Sequence, residues 1–381
     1  MTDRPTRRSL LVSALATPVA ASRVSAAAPQ ARYRTLGKTG LKVSEVGFGT
    51  EAVSDISIYS RGLDLGINFF DTSRDYERGS AERMLGKALA ARRKDVVFCS
   101  RSYAKGAKQF SADLDLSLKE AGTDYFDVFY IGAKDNPKDV PDDMLEAQAA
   151  AQKAGKIRFK GLSTHRIRAM EPLLACRHFD VILAPYNFTK GKFDYTPSVD
   201  EAAIEKCNKD GLGVVAMKVM AGGARFNRER NMPLKGFFDK NPGAHLSALK
   251  WALRTPFVHT TVPRMTNVEM LEENVRAMSE RYGSEDEKIL IAHLERIRPY
   301  VCRMCGACDG ACPRGLPVSD LVRFVTYADG YGDFPMGYRR FQALPAEVRA
   351  VRCTDCRACA VRCPSGVHVR ERLIRAQELF V

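Results

Sequence analysis

Residues 67–99 read INFFDTSRDYERGSAERMLGKALAARRKDVVFC, and this stretch contains the unit from which the fold is predicted. An apolar run at 67–71 is followed by a segment, 80–89, whose apolar residues recur at helical spacing. A second apolar run then begins at Asp95. The order strand, helix, strand favours two parallel strands joined by a helical crossover.

The same alternation continues on both sides of this unit. Further helical patterns occupy 142–154 and 267–279. Runs of strand length lie at 44–49, 67–71, 95–99, 126–131, 157–163, 181–186, 213–217 and 258–263. Eight such pairs within about 250 residues predict a (β/α)8 barrel over 32–282. An open doubly wound sheet is the alternative, but no G-x-G-x-x-G motif follows the first strand, which disfavours a Rossmann fold.

The pattern changes after residue 282. One long helix is predicted over 284–298, and between the later cysteine runs no segment alternates like a strand. The sequence therefore predicts a second, mainly α-helical domain over 283–381.

Composition limits the class of protein. The 381 residues are 45% hydrophobic and 27% charged, as in a globular protein, and the formal net charge is +14. The basic residues are scattered and form no recognised nucleic-acid-binding module, so no nucleic acid partner is expected. Of the eleven cysteines, eight follow residue 300, which indicates a metal centre.

The N-terminal segment 1–26 resembles a Tat export signal. The pair Arg7-Arg8 precedes an apolar run, Leu10 to Ala21, and Val24-Ser25-Ala26 is a small-residue cleavage site. The run is too short to cross a bilayer core of about 30 Å. We therefore expect an exported, periplasmic protein without an integral membrane segment; a disordered basic tail is the alternative.

The cysteine spacing predicts iron–sulfur clusters. In each of two runs, three cysteines are separated by two residues and a fourth precedes a proline: Cys302-x2-Cys305-x2-Cys308-x3-Cys312-Pro313 and Cys353-x2-Cys356-x2-Cys359-x3-Cys363-Pro364. Three such thiolates can hold one [4Fe-4S] cluster while the fourth reaches the other cluster.

Two clusters are thus predicted with crossed ligation. One uses Cys302, Cys305, Cys308 and Cys363, and the other uses Cys353, Cys356, Cys359 and Cys312. A structural zinc site needs only two Cys-x2-Cys pairs and leaves a third cysteine in each run unexplained. The spacing between the runs resembles that of an α-helical ferredoxin. For Cys99, Cys176 and Cys207, core packing is the expectation.

The barrel region resembles the aldo/keto reductase family. The resemblance lies in 66–73 with Tyr76, in 79–82 and in 85–89, and segments 36–44 and 124–128 also fit. It covers roughly 33–282, and with the cysteine tail the chain is similar to the iron–sulfur-containing branch of that family. The resemblance implies an oxidoreductase acting on a small carbonyl or alcohol.

It also implies a catalytic group of Asp71, Tyr76 and Arg101. In the family, the tyrosine donates a proton to the carbonyl, and a lysine paired with the aspartate lowers its pKa. Arg101 stands at the lysine position, where it keeps the positive charge and is still expected to favour tyrosinate. Gly132 stands at the position of the family's histidine, so that donor is missing.

The resemblance implies a nicotinamide site that is only partly kept. Thr164 and Leu183 replace the family's amide-bearing residues, and Met217 replaces its stacking ring, so NADP(H) binding is left open. The cofactor-binding residues implied are Ser163, Arg264, Glu273 and Asn274.

Three further residues or pairs are candidates for a function, with a plain surface role as the alternative for each. His165 could donate to a substrate oxygen, and Lys218 could hold an anion. Arg339-Arg340 could form a docking patch for an acidic electron carrier.

These patterns favour an exported iron–sulfur oxidoreductase whose clusters relay electrons to or from a protein partner. Two alternatives are an NADP-dependent reductase with structural clusters and a non-catalytic electron-transfer protein that uses the barrel as a scaffold.

Overall fold

The computed structural model of the chain describes residues 31–189, 199–221 and 243–381. The predicted export signal at 1–26 lies outside the described residues.

A barrel of eight parallel strands forms the larger part of the molecule. The strands follow one another around the barrel in chain order, and bridges from Val46 to Thr261 and from Gly49 to Arg264 join the last strand to the first. Their bounds are β3 (Phe48–Gly49), β4 (Phe69–Asp71), β5 (Val97–Ser102), β6 (Phe126–Ile131), β7 (Ile157–Ser163), β8 (Val181–Pro185), β9 (Gly213–Met217) and β10 (Thr260–Thr261). The predicted (β/α)8 barrel is confirmed.

The strand residues alternate between two hydrophobic layers. Phe69, Cys99, Val128 and Leu183 belong to a cluster inside the barrel, whereas Phe70 belongs to the layer between strands and helices. The period of two in a strand accounts for this division. The base of the barrel carries a hairpin formed by β1 (Tyr33–Thr35) and β2 (Lys42–Ser44).

The surrounding helices are amphipathic. In Ala107–Ala121, buried residues recur at Phe110, Leu114, Ser117 and Ala121, and the helix ends at Gly122, whose φ of 61° suits a left-handed cap. The other helices of the barrel are Ser57–Asp64, Ser80–Leu89, Asp142–Lys153, Glu171–Leu174, Val199–Lys209, Ala244–Leu253 and Val268–Val275.

One helical prediction differs from the structure. The segment 267–279 was expected as a single helix, but the α-helix ends at Val275 and continues as the 3-10 turn Arg276–Met278. The other 3-10 turns are Gly37–Thr39, Tyr76–Gly79, Ala90–Asp95, Pro137–Asp139, Ile167–Met170 and Cys353–Asp355.

The C-terminal region is helical, as predicted. In the described residues beyond 282 there are five α-helices and no strand, and one hydrophobic core joins several of them through Val322, Phe341 and Phe380. The helices are Ser284–Ile297, Val318–Asp329, Phe334–Gln342, Ala346–Ala350 and Val369–Phe380. Among the helices that the structure describes, none combines the length and apolar character needed to cross a membrane.

This region, hereafter the cysteine module (residues 301–381), lies across the C-terminal ends of the barrel strands. Its helix Val318–Asp329, hereafter the capping helix, provides Arg323, which donates a hydrogen bond to Asp135 after β6. Asp309 forms an ion pair with Arg166 after β7. The C-terminal ends of parallel barrel strands form the mouth where such folds carry their active sites, so the cysteine module covers the expected site.

Candidate functional site

A buried ion pair lies at the barrel mouth. Asp71 ends β4 and Arg101 lies near the end of β5, and their exposed fractions are 3% and 4%. An Arg101 Nη2 hydrogen donates to Asp71 Oδ2, and Arg101 Nε donates to the Thr72 carbonyl at 3.2 Å. Burial raises the pKa of Asp71 to about 6, and Arg101 opposes this shift. The structure thus brings together the predicted aspartate and arginine.

Tyr76 is the third member of this group. It follows β4 in the turn Tyr76–Gly79, and its ring lies against Arg101, with the guanidinium carbon 5.7 Å from the ring centroid. Burial raises the pKa of Tyr76 well above its usual value, and Arg101 only partly offsets this. Arg101 therefore acts in the predicted direction, lowering the pKa of Tyr76, but desolvation outweighs its charge. Tyr76 remains a neutral phenol that can donate a proton.

The missing histidine has a steric explanation. Gly132 follows β6, and its amide donates to the Ser102 carbonyl at 2.8 Å. A Cβ atom built on Gly132 would lie 2.8 Å from that same carbonyl oxygen. No side chain fits there without a backbone shift.

His165 does not replace that donor. Its Nδ1 lies 3.3 Å from Asp135 Oδ2, and Arg323 of the capping helix donates to the same oxygen at 2.8 Å. Burial lowers the pKa of His165 to about 3, and Arg323 adds to the shift, so the ring is neutral at physiological pH. With Nδ1–H directed at the carboxylate, Nε2 accepts hydrogen bonds instead of donating them.

Lys218 directly follows β9 and is covered by the cysteine module. Its ammonium lies 4.7 Å from the ring centroid of Tyr327 and 5.2 Å from that of Tyr331. Its φ of 55° is a left-handed conformation that is uncommon outside glycine. Lys218 is thus a cation–π contact of the domain interface.

Arg264 is engaged by the same part of the module. It follows β10, and its Nη2 donates to the Tyr331 carbonyl at 2.7 Å. The resemblance had assigned this guanidinium to the phosphate end of NADP(H). In this structure its hydrogen bond joins the cysteine module to the barrel.

The other predicted cofactor residues also lie in closed surroundings. Ser163 ends β7 and is 2% exposed, and Asn274 is 3% exposed in the helix Val268–Val275. Glu273 is half-buried on the same helix. Since Arg264 is bonded to Tyr331 and Lys218 is covered by two tyrosines, these residues do not fit a bound nicotinamide dinucleotide in this arrangement.

A small cavity separates the capping helix from the barrel. Barrel residues on one side and module residues on the other line it: Asn187, Thr189, Lys218, Ala221, Val301, Cys302, Arg303, Met304, Arg323, Thr326, Tyr327 and Tyr331. The first cysteine run therefore reaches the barrel mouth.

The structure assembles the first predicted cysteine group from both runs. Burial raises the pKa of the Cys302 thiol to about 12, and the neighbouring thiols Cys305, Cys308 and Cys363 add to the shift. Such thiols become ligands only when a metal displaces their protons. The Cys363 thiol of the second run thus lies near thiols of the first run, in the direction that crossed ligation predicts.

The second group is assembled in the same way. Cys312 of the first run lines one cavity with Cys353, Cys356 and Cys359 of the second run. In the described residues, no three His, Cys, Asp or Glu side chains are arranged to hold a metal ion. A cubane does not need that arrangement, because each of its four thiolates binds a different iron atom. Both groups fit the clusters.

The remaining cysteines and the arginine pair show two differences from the predictions. Cys99 and Cys207 are buried, but Cys176 is exposed, because the short helix before it ends at Leu174 and leaves it in a surface turn. Arg340 is no free docking residue. Its Nη2 lies 3.7 Å from Asp75 Oδ2, and its guanidinium stacks over the ring of Tyr103 in the barrel.

Sequence reasoning missed two mouth residues. Glu51 lies two residues beyond β3, and burial raises its pKa while Arg264 opposes the shift. Asp135 anchors His165 and Arg323. Asp71 was predicted because it stands at the C-terminal end of a barrel strand. The same criterion could have identified Glu51 and Asp135.

Comparison with known proteins agrees with this architecture. The Aldo/keto reductase family profile matches residues 47–246, just over half of the chain, and a 4Fe-4S dicluster domain matches residues 301–368.

Two related proteins align with about two thirds of this chain. The "Uncharacterized oxidoreductase YqkF" of Bacillus subtilis (strain 168) is 25% identical over 301 residues, which cover 70% of this chain and 97% of that protein. The L-glyceraldehyde 3-phosphate reductase of Escherichia coli (strain K12) is 25% identical over 311 residues, covering 66% and 88%.

Solved structures show the same barrel. Aldo-keto reductase AKR11C1 from Bacillus halodurans in its holo form has a TM-score of 0.57 at 23% identity, covering 69% of this chain and 96% of that chain. An aldo-keto reductase from Klebsiella pneumoniae in complex with NADPH has a TM-score of 0.55 at 21% identity, covering 70% and 95%. At these identities the likeness establishes the fold alone. The profile match, together with the eight-stranded barrel, shows that the chain belongs to the aldo/keto reductase family, as an oxidoreductase with a 4Fe-4S dicluster domain after its barrel.

Proposed function

We propose that the protein interconverts a small carbonyl compound and its alcohol at the barrel mouth, with electrons relayed through two [4Fe-4S] clusters to or from a protein partner. One observation carries this proposal. Tyr76 packs against the hydrophobic core of the cysteine module, and Cys302, Cys308 and Cys363 pack against the same core. The proton donor and the cysteine loops are thus parts of one packed unit.

The chemistry at the mouth follows from Tyr76 and Arg101. Reducing a carbonyl to an alcohol takes two electrons and two protons. The neutral Tyr76 phenol supplies the proton for the oxygen, and water supplies the proton for the carbon. The phenolate left behind is stabilised by the buried Arg101 guanidinium beneath the ring. The two cysteine groups would hold clusters that, when bound, would each supply one electron of the pair.

The interface contacts favour this function over an NADP-dependent reductase. Arg264 is held by the Tyr331 carbonyl, and Lys218 lies against Tyr327 and Tyr331. A dinucleotide would have to displace these tyrosines of the cysteine module to reach either cation.

The proposal predicts a specific choice of electron donor. In an anaerobic assay with a set of small aldehydes and ketones, dithionite-reduced methyl viologen should support alcohol formation, whereas NADPH should not. Loss of the viologen colour and chromatography of the product measure the two sides of the reaction. If carbonyl reduction instead required NADPH and did not proceed with reduced viologen, the clusters would have a structural role.

Export is a separate part of the proposal and rests on residues 1–26. Replacing Arg7 and Arg8 with lysine should retain the protein in the cytoplasm, because the twin-arginine pathway requires the pair. Cell fractionation followed by immunoblotting measures this, with Arg4→Lys as the control. An unchanged distribution of the double variant between fractions would rule out this route.

A further inference from the structure

The surroundings of the second cysteine group are strongly positive. Arg314, Arg352 and Arg370 line the same cavity as its four thiols. Arg357 directly follows Cys356 in the chain, and Arg362 Nη1 donates to the Cys359 carbonyl at 2.5 Å. These five arginines, hereafter the arginine rim, are exposed except for Arg352, which is half-buried.

The arginine rim lacks internal counter-charges. Within the described ranges, none of its five guanidinium groups forms an ion pair with a carboxylate. Other arginines of the module do: Arg323 pairs with Asp135, Arg340 with Asp75 and Arg372 with Asp329. Of the twelve arginines at 301–381, eight form no ion pair with a carboxylate in the described ranges, and five of these eight make up the arginine rim.

The positive charge exceeds what the cluster itself requires. A [4Fe-4S] cluster with four thiolates carries about two negative charges when oxidised. Segment 351–366 contains a single acidic residue, Asp355. The five positive charges of the arginine rim exceed the negative charges of the cluster and Asp355 taken together.

The first cysteine group differs in both charge and position. Asp309 directly follows Cys308 in the chain and forms an ion pair with Arg166 of the barrel. Cys302 lines the cavity at the barrel mouth. The first group therefore borders the reaction site, whereas the cavity of the second group is lined by residues of the cysteine module alone.

We propose that the arginine rim is the docking surface for an electron-transfer protein with an acidic face. This inference rests on the proposed function, because only a protein that exchanges electrons needs such a partner. Unpaired exposed cations steer an acidic partner and speed its encounter. Docking there places the partner next to the cluster that lies farther from the barrel mouth.

Voltammetry of the full-length holoprotein tests the surface without a known partner. A gold electrode coated with a carboxylate-terminated monolayer serves as the acidic face. At low ionic strength, Arg357→Glu/Arg370→Glu should slow electron exchange by about tenfold or more. The control Lys94→Glu/Arg281→Glu makes the same net charge change at exposed barrel positions and should leave the rate nearly unchanged.

The salt dependence of the electron-exchange rate and the iron content of each variant distinguish the possible outcomes. The difference between the two double variants should vanish at roughly 0.5 M salt, where screening acts within a few ångströms. Equal slowing by both double variants, or by neither, with full iron content and viologen-linked turnover would overturn the docking surface alone. A wild-type holoprotein that exchanges no electrons on any electrode and shows no viologen-linked turnover would overturn the proposed function.

Discussion

Replacing Cys302 and Cys363 together with serine is expected to remove only one cluster, although the two residues belong to different cysteine runs. Both lie in the first group, where Cys363 is close enough to raise the pKa of the Cys302 thiol. Iron should therefore fall from about eight to about four atoms per chain. Iron analysis and the visible absorbance of the anaerobically purified protein measure the loss.

The pair Cys302→Ser/Cys312→Ser gives the opposite result. These residues share one run but lie in different groups, so both clusters should be lost and iron should approach zero. Cys176→Ser is the control, because this exposed cysteine lies outside both groups. If each run held its own cluster, the two double variants would exchange their results, and crossed ligation would be wrong.

Replacing Tyr76 with phenylalanine should lower viologen-linked carbonyl reduction by about 10²–10⁴-fold, the usual contribution of a general acid. The phenyl ring keeps its contacts with Arg101 and with the core of the cysteine module, so the fold and the clusters should be retained. Only the hydroxyl that donates the proton is lost. Turnover with an active carbonyl substrate, at matched iron content, measures the effect.

Tyr103→Phe is the matched control for this variant. Tyr103 lies after β5, and its ring stacks with Arg340 at 4.4 Å, a contact that phenylalanine preserves. Its turnover should be close to that of the wild type. Unchanged turnover of Tyr76→Phe would mean that the barrel is a scaffold instead of a catalyst.

The barrel could be predicted because its signals are local. Each strand is a short apolar run, and helices such as Ala107–Ala121 repeat their buried residues every three or four positions. The cysteine spacing likewise encodes two ligand groups within short loops. Strand ends were less certain, since β3 and β10 contain only two residues each.

The closed mouth could not be predicted, because its contacts join residues far apart in sequence. Arg264 bonds to Tyr331, and Lys218 lies beneath Tyr327, yet none of these residues shows a local pattern. Burial caused by this packing also raises the pKa of Tyr76 above its usual value, although Arg101 acts in the opposite direction.

We propose that the cysteine module takes the place of a nicotinamide at the barrel mouth. Calorimetric titration of NADPH into the anaerobic, fully iron-loaded protein tests it directly, with a nicotinamide-dependent reductase as the positive control. The structure predicts no saturable heat, because Arg264 and Lys218 are already engaged by the module. Saturable one-to-one binding of NADPH would contradict the account.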